Sequence, residues 1–495
     1  MNSMSQAKGL RTNSTPGLLD KWAFILGLLG IVLGVAFAIA SGLYGFLVLA
    51  ALAGGFAVLM VVLKPDLGVA FVLIFLFAQV QRAFVEVNGW PGPGRPLVAF
   101  MLGVVILRFL LFNERPKGWM QNNFILGIYA LSLLISVVTA DNNTIAFEEF
   151  QNIFESLLVT SIILFIVQRP NSLRTSIWAV VFAGIFMASI SVFQNLTKTY
   201  DNTYYGFGGW EYSGYVGRPR MTGPYETPNP YAQILCVIFV LALDRAWHEK
   251  KTIIRLTALL GAGLLALALI YTDSRGGFLC LAFTIFVFLL FNPPNFNSIV
   301  IIVALSVILV RFMPANYTER LFTLTELFTD SSTALTDESF RGRTSENIAA
   351  WRMFLDNPVF GVGLENYSSY YLDYSKQIGL DPRREARDPA SLYLQLLANQ
   401  GLIGAAIYLG IIYLVLLRVY RARKKLIDMG STDEANMASA LFAALAGYMF
   451  MSIYKNSAYT NAFWSLMALC MAVTQVATNL HDDYELNRTS LEKTA

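Results

Sequence analysis

Residues 253–291 read IIRLTALLGAGLLALALIYTDSRGGFLCLAFTIFVFLLF. Two apolar runs, 253–271 and 277–291, flank the short polar connection Thr272-Asp273-Ser274-Arg275-Gly276-Gly277. Runs of about 17–22 apolar residues are what a helix needs to cross a hydrocarbon core about 30 Å thick. The stretch therefore reads as two membrane-crossing helices joined by a tight turn.

The same pattern continues outward in both directions. The 495-residue chain is 56% hydrophobic and 14% charged, against about 45–50% apolar and about 25% charged in an ordinary soluble domain. Further spans are expected near 22–40, 42–63, 67–80, 96–112, 124–140, 152–168 and 177–194. After the loop that follows, they are expected near 230–247, 297–313, 396–419, 437–454 and 460–478. The total is about 12–14, the short block at 67–80 being a candidate for re-entry rather than crossing. The predicted class is all-α and polytopic, with no room for a large soluble domain. The N-terminal polar stretch is long and the block 22–40 full length, which points to an uncleaved first span rather than a signal peptide. Cys236, Cys280 and Cys470 all lie in apolar blocks without metal-ligand spacing, so buried free thiols are expected.

The net charge of +3 decides little; the placement of the charges decides more. Lys8, Arg11 and Lys21, then Lys64, then Arg115 and Lys117, then Arg169 and Arg174, then Lys250, Lys251 and Arg255 fall on alternate connections. Arg421, Arg423, Lys424 and Lys425 resume the pattern late in the chain. By the positive-inside rule these connections are cytoplasmic, as are both termini. The acidic connection at 141–150 is on the other side. The expected organisation is a cytoplasmic tail at 1–21, spans over 22–313 with an extracytoplasmic loop at about 195–229, a large extracytoplasmic loop at 314–395, spans over 396–478, and a cytoplasmic tail at 479–495.

The outside segments carry arginines that the charge rule does not ask for. Asp273 or Ser274 can cap the helix that follows, and Arg275 adds a fixed charge beside that positive helix end, a suitable site for an anion. The alternative is an arginine that snorkels to the headgroups. In Arg341-Gly342-Arg343-Thr344-Ser345-Glu346, Thr344 or Ser345 is a plausible cap for a helix with Ile348, Trp351 and Leu355 on one side. That helix is too short and polar to span, and is expected along the membrane surface until Asn357-Pro358 stops it. Asp388-Pro389 reads as another helix start, Asp388 being a cap more readily than a catalytic group. Gly401 marks a break before the next span. The loop at 195–229 crowds Tyr200, Tyr204, Tyr205, Phe207, Trp210, Tyr212 and Tyr215 together, either as an interfacial belt or as stacking faces for sugar rings. Arg218, Arg220, Gly223 and Asn229-Pro230 follow, with Asn229 able to cap the next span.

Taken in order, Arg220 with Gly223 and Asn229, Ser274-Arg275-Gly276, Arg343 with Trp351, Pro358-Val-Phe-Gly361-Val-Gly363, Ser391-Leu-Tyr393-Leu and Gly401-Leu-Ile-Gly404 resemble the bacterial O-antigen ligase and Wzy-type O-antigen polymerase family. The resemblance covers roughly 215–420. It implies an all-helical membrane fold of the glycosyltransferase class C type, in the bacterial inner membrane, with a cavity under the long loop. It also implies transfer of a glycan from a polyprenyl (undecaprenyl) pyrophosphate carrier to an acceptor on the extracytoplasmic face. By this resemblance Arg275 and Arg343 bind pyrophosphate, Arg220 is a third such group, and Arg218, Arg341, Trp351, Tyr393 and Trp210 contact substrate. No metal and no other cofactor is implied, since arginines at helix ends can hold the leaving diphosphate. The expected partners are the carrier-linked oligosaccharide, the glycan acceptor, the bilayer and proteins of polysaccharide assembly such as a chain-length regulator, with no nucleic acid.

One departure matters. Ligases of the family carry a histidine just before the Ser-Leu-Tyr-Leu segment, where this chain has Ala390, and its histidines, His248 and His481, fall on the cytoplasmic side. Asp388 or Glu385 is left to take the acceptor proton, or base catalysis, typically about 10²–10⁴-fold, is dispensed with. This points to a polymerase of exopolysaccharide, capsule or O-antigen before a ligase. A transporter or flippase would need mid-membrane ionisable residues and repeated halves; the charges here sit mostly at span ends.

Overall fold

The computed structural model describes residues 61–213, 217–294, 338–381 and 385–494. The expected spans near 22–40 and 297–313, nearly all of that near 42–63, and Tyr215 lie outside these residues. By its contacts the chain divides into Met1–Gly68 and Val69–Ala495, and the packing below is that within the second unit.

The first helices are α1 (Pro65–Phe77) and α2 (Val80–Val87), bent by 65° at the break between them. Gln79, in the left-handed region at φ 54°, makes that bend. A bent pair, of the kind found in broken spans and re-entrant loops alike, stands where the short apolar block was a candidate for re-entry. Next come α3 (Gly94–Leu111), α4 (Trp119–Val138), α5 (Asn143–Ile166) and α6 (Pro170–Thr197). The long connection then folds into a hairpin of β1 (Trp210–Ser213) and β2 (Arg218–Met221), in which Glu211 faces Arg220. This small sheet interrupts the otherwise helical chain.

Beyond it lie α7 (Pro228–His248), α8 (Thr252–Tyr271) and α9 (Arg275–Phe291), then α10 (Glu338–Asp356) and α11 (Tyr367–Ile378). The chain closes with α12 (Leu392–Asp428), α13 (Thr432–Met451) and α14 (Asn461–Thr494). Among the described residues, α3 to α8, α12 and α14 are the 8 helices long and apolar enough to cross a membrane, and the bent α1–α2 pair would make 9. The shorter apolar helix α9 packs against α7 and α13. The protein is a polytopic all-α membrane protein.

Small residues set how closely the helices approach. In α13, Ala438, Ala440, Ala443 and Ala444 are buried, and a Cβ on Gly447 would meet Thr284 Oγ1 of α9 at 1.9 Å. Such contact lets helices pack by dispersion where lipid offers no hydrophobic drive. All three cysteines are buried and free, as expected. Cys280 Sγ donates to Gly447 O at 3.3 Å.

Several expected helix ends differ. The helix expected to start at Thr344 or Ser345 is already formed at Glu338, so Arg343 lies within α10 and not beside its N-terminus. Asp388-Pro389 does not open α12, which starts at Leu392. The reason is tertiary: Leu392 N donates to Ser452 O at 3.0 Å and Lys455 O at 3.2 Å, so the loop after α13 takes the place of a side-chain cap. Asn229 lies inside α7, whose first position is Pro228, and its Oδ1 accepts from Ser274 Oγ at 2.8 Å instead. The acidic stretch at 141–150 is mostly helix, capped by Asn142, whose side chain accepts from Ile145 N at 3.3 Å. The stretch 479–494 continues α14.

The two glycine-rich motifs prove to be one joint. Within α12, Gly401 at φ 63° and ψ −165° breaks the helix. The turn after α10 fills the gap: Val362 N donates to Ala398 O at 2.8 Å, Gly363 N to Asn399 O at 3.1 Å, and Leu402 N to Pro358 O at 2.8 Å. A Cβ on Gly401 would lie 2.4 Å from Val359 C, and one on Gly361 2.5 Å from Ala398 O. Only glycine allows the two backbones to meet there.

Candidate functional site

A cavity of about 1040 Å3 opens among the α1–α2 bend, the starts of α3 and α7, the middle of α5, and the loop between α13 and α14. Its wall is mixed in charge. Arg82, Arg95 and Lys455 supply cations, and Glu86, Glu149, Glu155, Glu226 and Asp388 supply carboxylates. The bend at Gln79 turns Arg82 inward. Arg82 Nη1 donates to Pro224 O at 2.9 Å, and its Nε lies 3.0 Å from Glu86 and 4.0 Å from Glu226. Arg95 faces Glu155 at 3.8 Å.

Lys455 stands on this wall, in the loop between α13 and α14. Burial pushes its ammonium below the usual lysine range; Asp388 acts to raise it, and Arg343 to lower it further. Arg343 of α10 and Asp388 therefore both act on a residue of the cavity wall, although Arg343 itself is not on that wall. Behind Asp388, burial pushes the Glu365 carboxyl up to about 8, helped by the charges of Asp388 and Glu149. Glu365 stands in the left-handed region at φ 54°, and its Oε2 is buried without a hydrogen-bond partner. A non-glycine residue held there is strained, and such strain tends to collect at functional sites.

Of the expected site residues, Asp388 alone lines this cavity. Arg275 is the first residue of α9, half-buried. Ser274 caps the helix, accepting from Gly277 N at 3.1 Å, so the predicted cap and adjacent arginine are both present. Arg275 is not on the cavity wall, yet a hydrogen bond of its turn leads toward it. Asn229, bonded to Ser274, precedes Pro230 and Gln233 of the wall, and Gln233 Nε2 donates to Ser452 Oγ and Tyr448 O, both at 3.0 Å.

Arg218 is paired with Asp273, and Arg220 Nε donates to Thr272 O at 3.0 Å. Both thus brace the hairpin against the turn before Arg275. Arg341 is half-buried and Arg343 exposed, both on α10. Trp351 is exposed and packs at a tilt of 43° against Phe354, 5.3 Å between ring centres. The stripe of Trp351 and Leu355 points away from the protein, while Ala349, Ala350 and Met353 face Tyr367, Tyr371 and Ala398. Tyr393 donates its hydroxyl to Met449 O at 2.9 Å, tying α12 to α13. Trp210 donates to Tyr200 O and is stabilised by ring contact with Tyr200. Asp388 stands on the cavity wall; Glu385 is exposed and does not line it. His248 belongs to a buried ionic cluster with Asp244 and Arg245 at the far end of α7, and His481 lies on α14.

Sequence reading missed Arg82, Arg95, Glu149, Lys455 and Glu365. A charge inside or at the edge of an apolar block, as at Arg82 and Arg95, was the available signal. Nothing local distinguishes Lys455 or Glu365 from loop charges. Among the described residues, no three His, Cys, Asp or Glu side chains gather as a metal site would require.

Residues 260–409 match the family model described as O-antigen ligase. The stretch contains Ser274-Arg275-Gly276, Arg343, Trp351, the 358–363 turn, Asp388, Ser391-Leu-Tyr393-Leu and Gly401, so the resemblance read from those motifs is shown there. Arg218, Arg220 and Trp210 fall outside it. A search of curated proteins found no match.

Proposed function

We propose that this protein is a glycosyltransferase of the bacterial inner membrane, with both termini cytoplasmic, acting on polyprenyl-pyrophosphate-linked glycans at the extracytoplasmic face. The observation that carries the reading is the cavity wall itself: a cluster of cations set against carboxylates, reached by the family-matched segment through Asp388. A pyrophosphate ester is a good leaving group when its charge is held, and arginine does so by paired, charge-assisted hydrogen bonds. Arg275 and Arg343 are assigned to the pyrophosphate, with Lys455 as a further cation on the wall.

In the step proposed, the acceptor hydroxyl attacks the anomeric carbon of the donor sugar. The bond from that carbon to the pyrophosphate oxygen breaks, polyprenyl pyrophosphate leaves, and the hydroxyl proton passes to a carboxylate. Asp388 is the base by position, with Glu365 behind it as the group that shares its charge environment. The polyprenyl tail remains in the bilayer, which limits the search for the reacting geometry.

A polymerase, taking a second carrier-linked repeat unit as acceptor, is the first reading because Ala390 stands where ligases carry a histidine. Transfer to a lipid or protein acceptor is the second, favoured by the ligase description of the matched segment. Polysaccharide length in cells producing Arg275→Ala or Arg343→Ala tests the proposal. Short or single repeat units at wild-type protein levels are expected; long chains of normal distribution would refute the pyrophosphate assignment.

A further inference from the structure

A second recess, of about 490 Å3, lies between the start of α4, the later part of α12 and the middle of α14. It belongs to the opposite end of the molecule from the cavity above. Asn461 and Ala462 of α14 line the first cavity and Thr474 to Thr478 line the second, about 20 Å along the helix at 1.5 Å per residue.

This recess is cationic. Lys117, Arg418, Arg421 and Lys425 line it. The acidic groups that face it are Asp482, paired with Lys117 at 2.6 Å, and Asp483 beside it. Arg418 Nη1 is oriented by Asn122 Oδ1 at 3.1 Å. The first turn of α4, from Gly118 at φ 76°, opens toward the same space, adding the positive end of a membrane helix. Polar floor groups Gln121, Asn122 and Gln475 complete it. On α4, Met120 and Phe124 are 67% and 70% exposed, apolar surface of the kind that faces acyl chains. A basic recess between membrane helices at the headgroup level, with apolar flanks, has the chemistry of a phosphodiester site.

We propose that this recess binds the phosphate headgroup of an anionic phospholipid, which joins α4 to α12 and α14 at the end remote from the transfer site. The shared chemistry with free phosphate is the anion; the apolar surface of α4 beside the recess favours the lipid. The inference does not depend on the glycan-transfer reading.

The test is native mass spectrometry of the purified full-length protein, titrated with phosphatidylglycerol, with phosphatidylcholine, and with inorganic phosphate. Retention of phosphatidylglycerol over phosphatidylcholine is expected, falling about fivefold for each charge removed in Arg421→Gln and Lys425→Gln, and preserved in Arg421→Lys. Equal retention of the two lipids, or undiminished retention by both glutamine variants, would overturn the proposal. So would displacement of the lipid by millimolar inorganic phosphate, which would make it a free-phosphate site. A wild-type melting temperature in each variant separates lost binding from lost folding.

Discussion

Arg275 and Arg343 show what single residues disclose before a structure is known. Arg275 could be placed because Ser274 both caps a helix and precedes an arginine, a local pattern that the fold preserves. Arg343 was expected beside a helix N-terminus, but α10 begins before it and Arg343 lies inside the helix. Removing either charge should lower transfer by about 10²-fold, as for loss of one group that stabilises developing charge. Radiolabelled glycan transfer in membranes measures this, with Arg→Lys retaining part of the activity. Glu365 makes a different prediction. Its carboxyl is raised in the folded protein to about 8, so the neutral form is the one the fold favours. That contribution is full below the ordinary carboxyl range and is lost as pH rises through the folded value. The melting temperature of the solubilised protein should therefore fall as pH rises from about 4.5 to about 8, and Glu365→Gln should flatten the slope. An unchanged slope in Glu365→Gln would place the titration elsewhere. Neither Glu365 nor Lys455 was legible in the sequence, because each owes its character to burial by segments far away in the chain.

At the scale of elements, spans were legible and ends were not. Apolar length alone located α3 to α8, because a bilayer imposes one length on every crossing. Helix starts went astray wherever tertiary partners replaced local caps. At α12 the carbonyls of Ser452 and Lys455 hold Leu392 N, which no pattern around Asp388 could announce. The hairpin β1–β2 was also hidden, its short strands lying among aromatics that read as an interfacial belt or as stacking faces for sugar rings. The Gly361–Gly401 joint was half visible: the break at Gly401 and the turn at Gly361 could each be read, but not that they fill one another. This joint gives a sharp contrast. Gly401→Ala puts a Cβ 2.4 Å from Val359 C at a positive φ, where backbone strain alone costs about 1–3 kcal/mol. Gly410→Ala, in open space on the same helix, should be neutral or stabilising by up to about 1 kcal/mol. Size-exclusion profiles of the two variants should separate accordingly, and equal behaviour would deny that the joint holds α10 against α12.

At the scale of the whole molecule, the charge bias and the positions of the two recesses make one account. The first cavity gathers at the ends of helices remote from Arg421 and Lys425, which the positive-inside rule assigns to the cytoplasm. Glu226→Cys should then react with an impermeant thiol reagent in intact spheroplasts, and Arg421→Cys only after lysis. The buried native cysteines keep the background low. The reverse pattern would invert the assigned orientation. The central claim is glycan transfer from a polyprenyl pyrophosphate, and reconstitution addresses it directly. The purified protein in nanodiscs, given a synthetic carrier-linked oligosaccharide, should lengthen the glycan and release polyprenyl pyrophosphate in equal amounts, with Arg343→Ala doing neither. Intact donor with the wild-type protein, when donor and acceptor are both present, would contradict it.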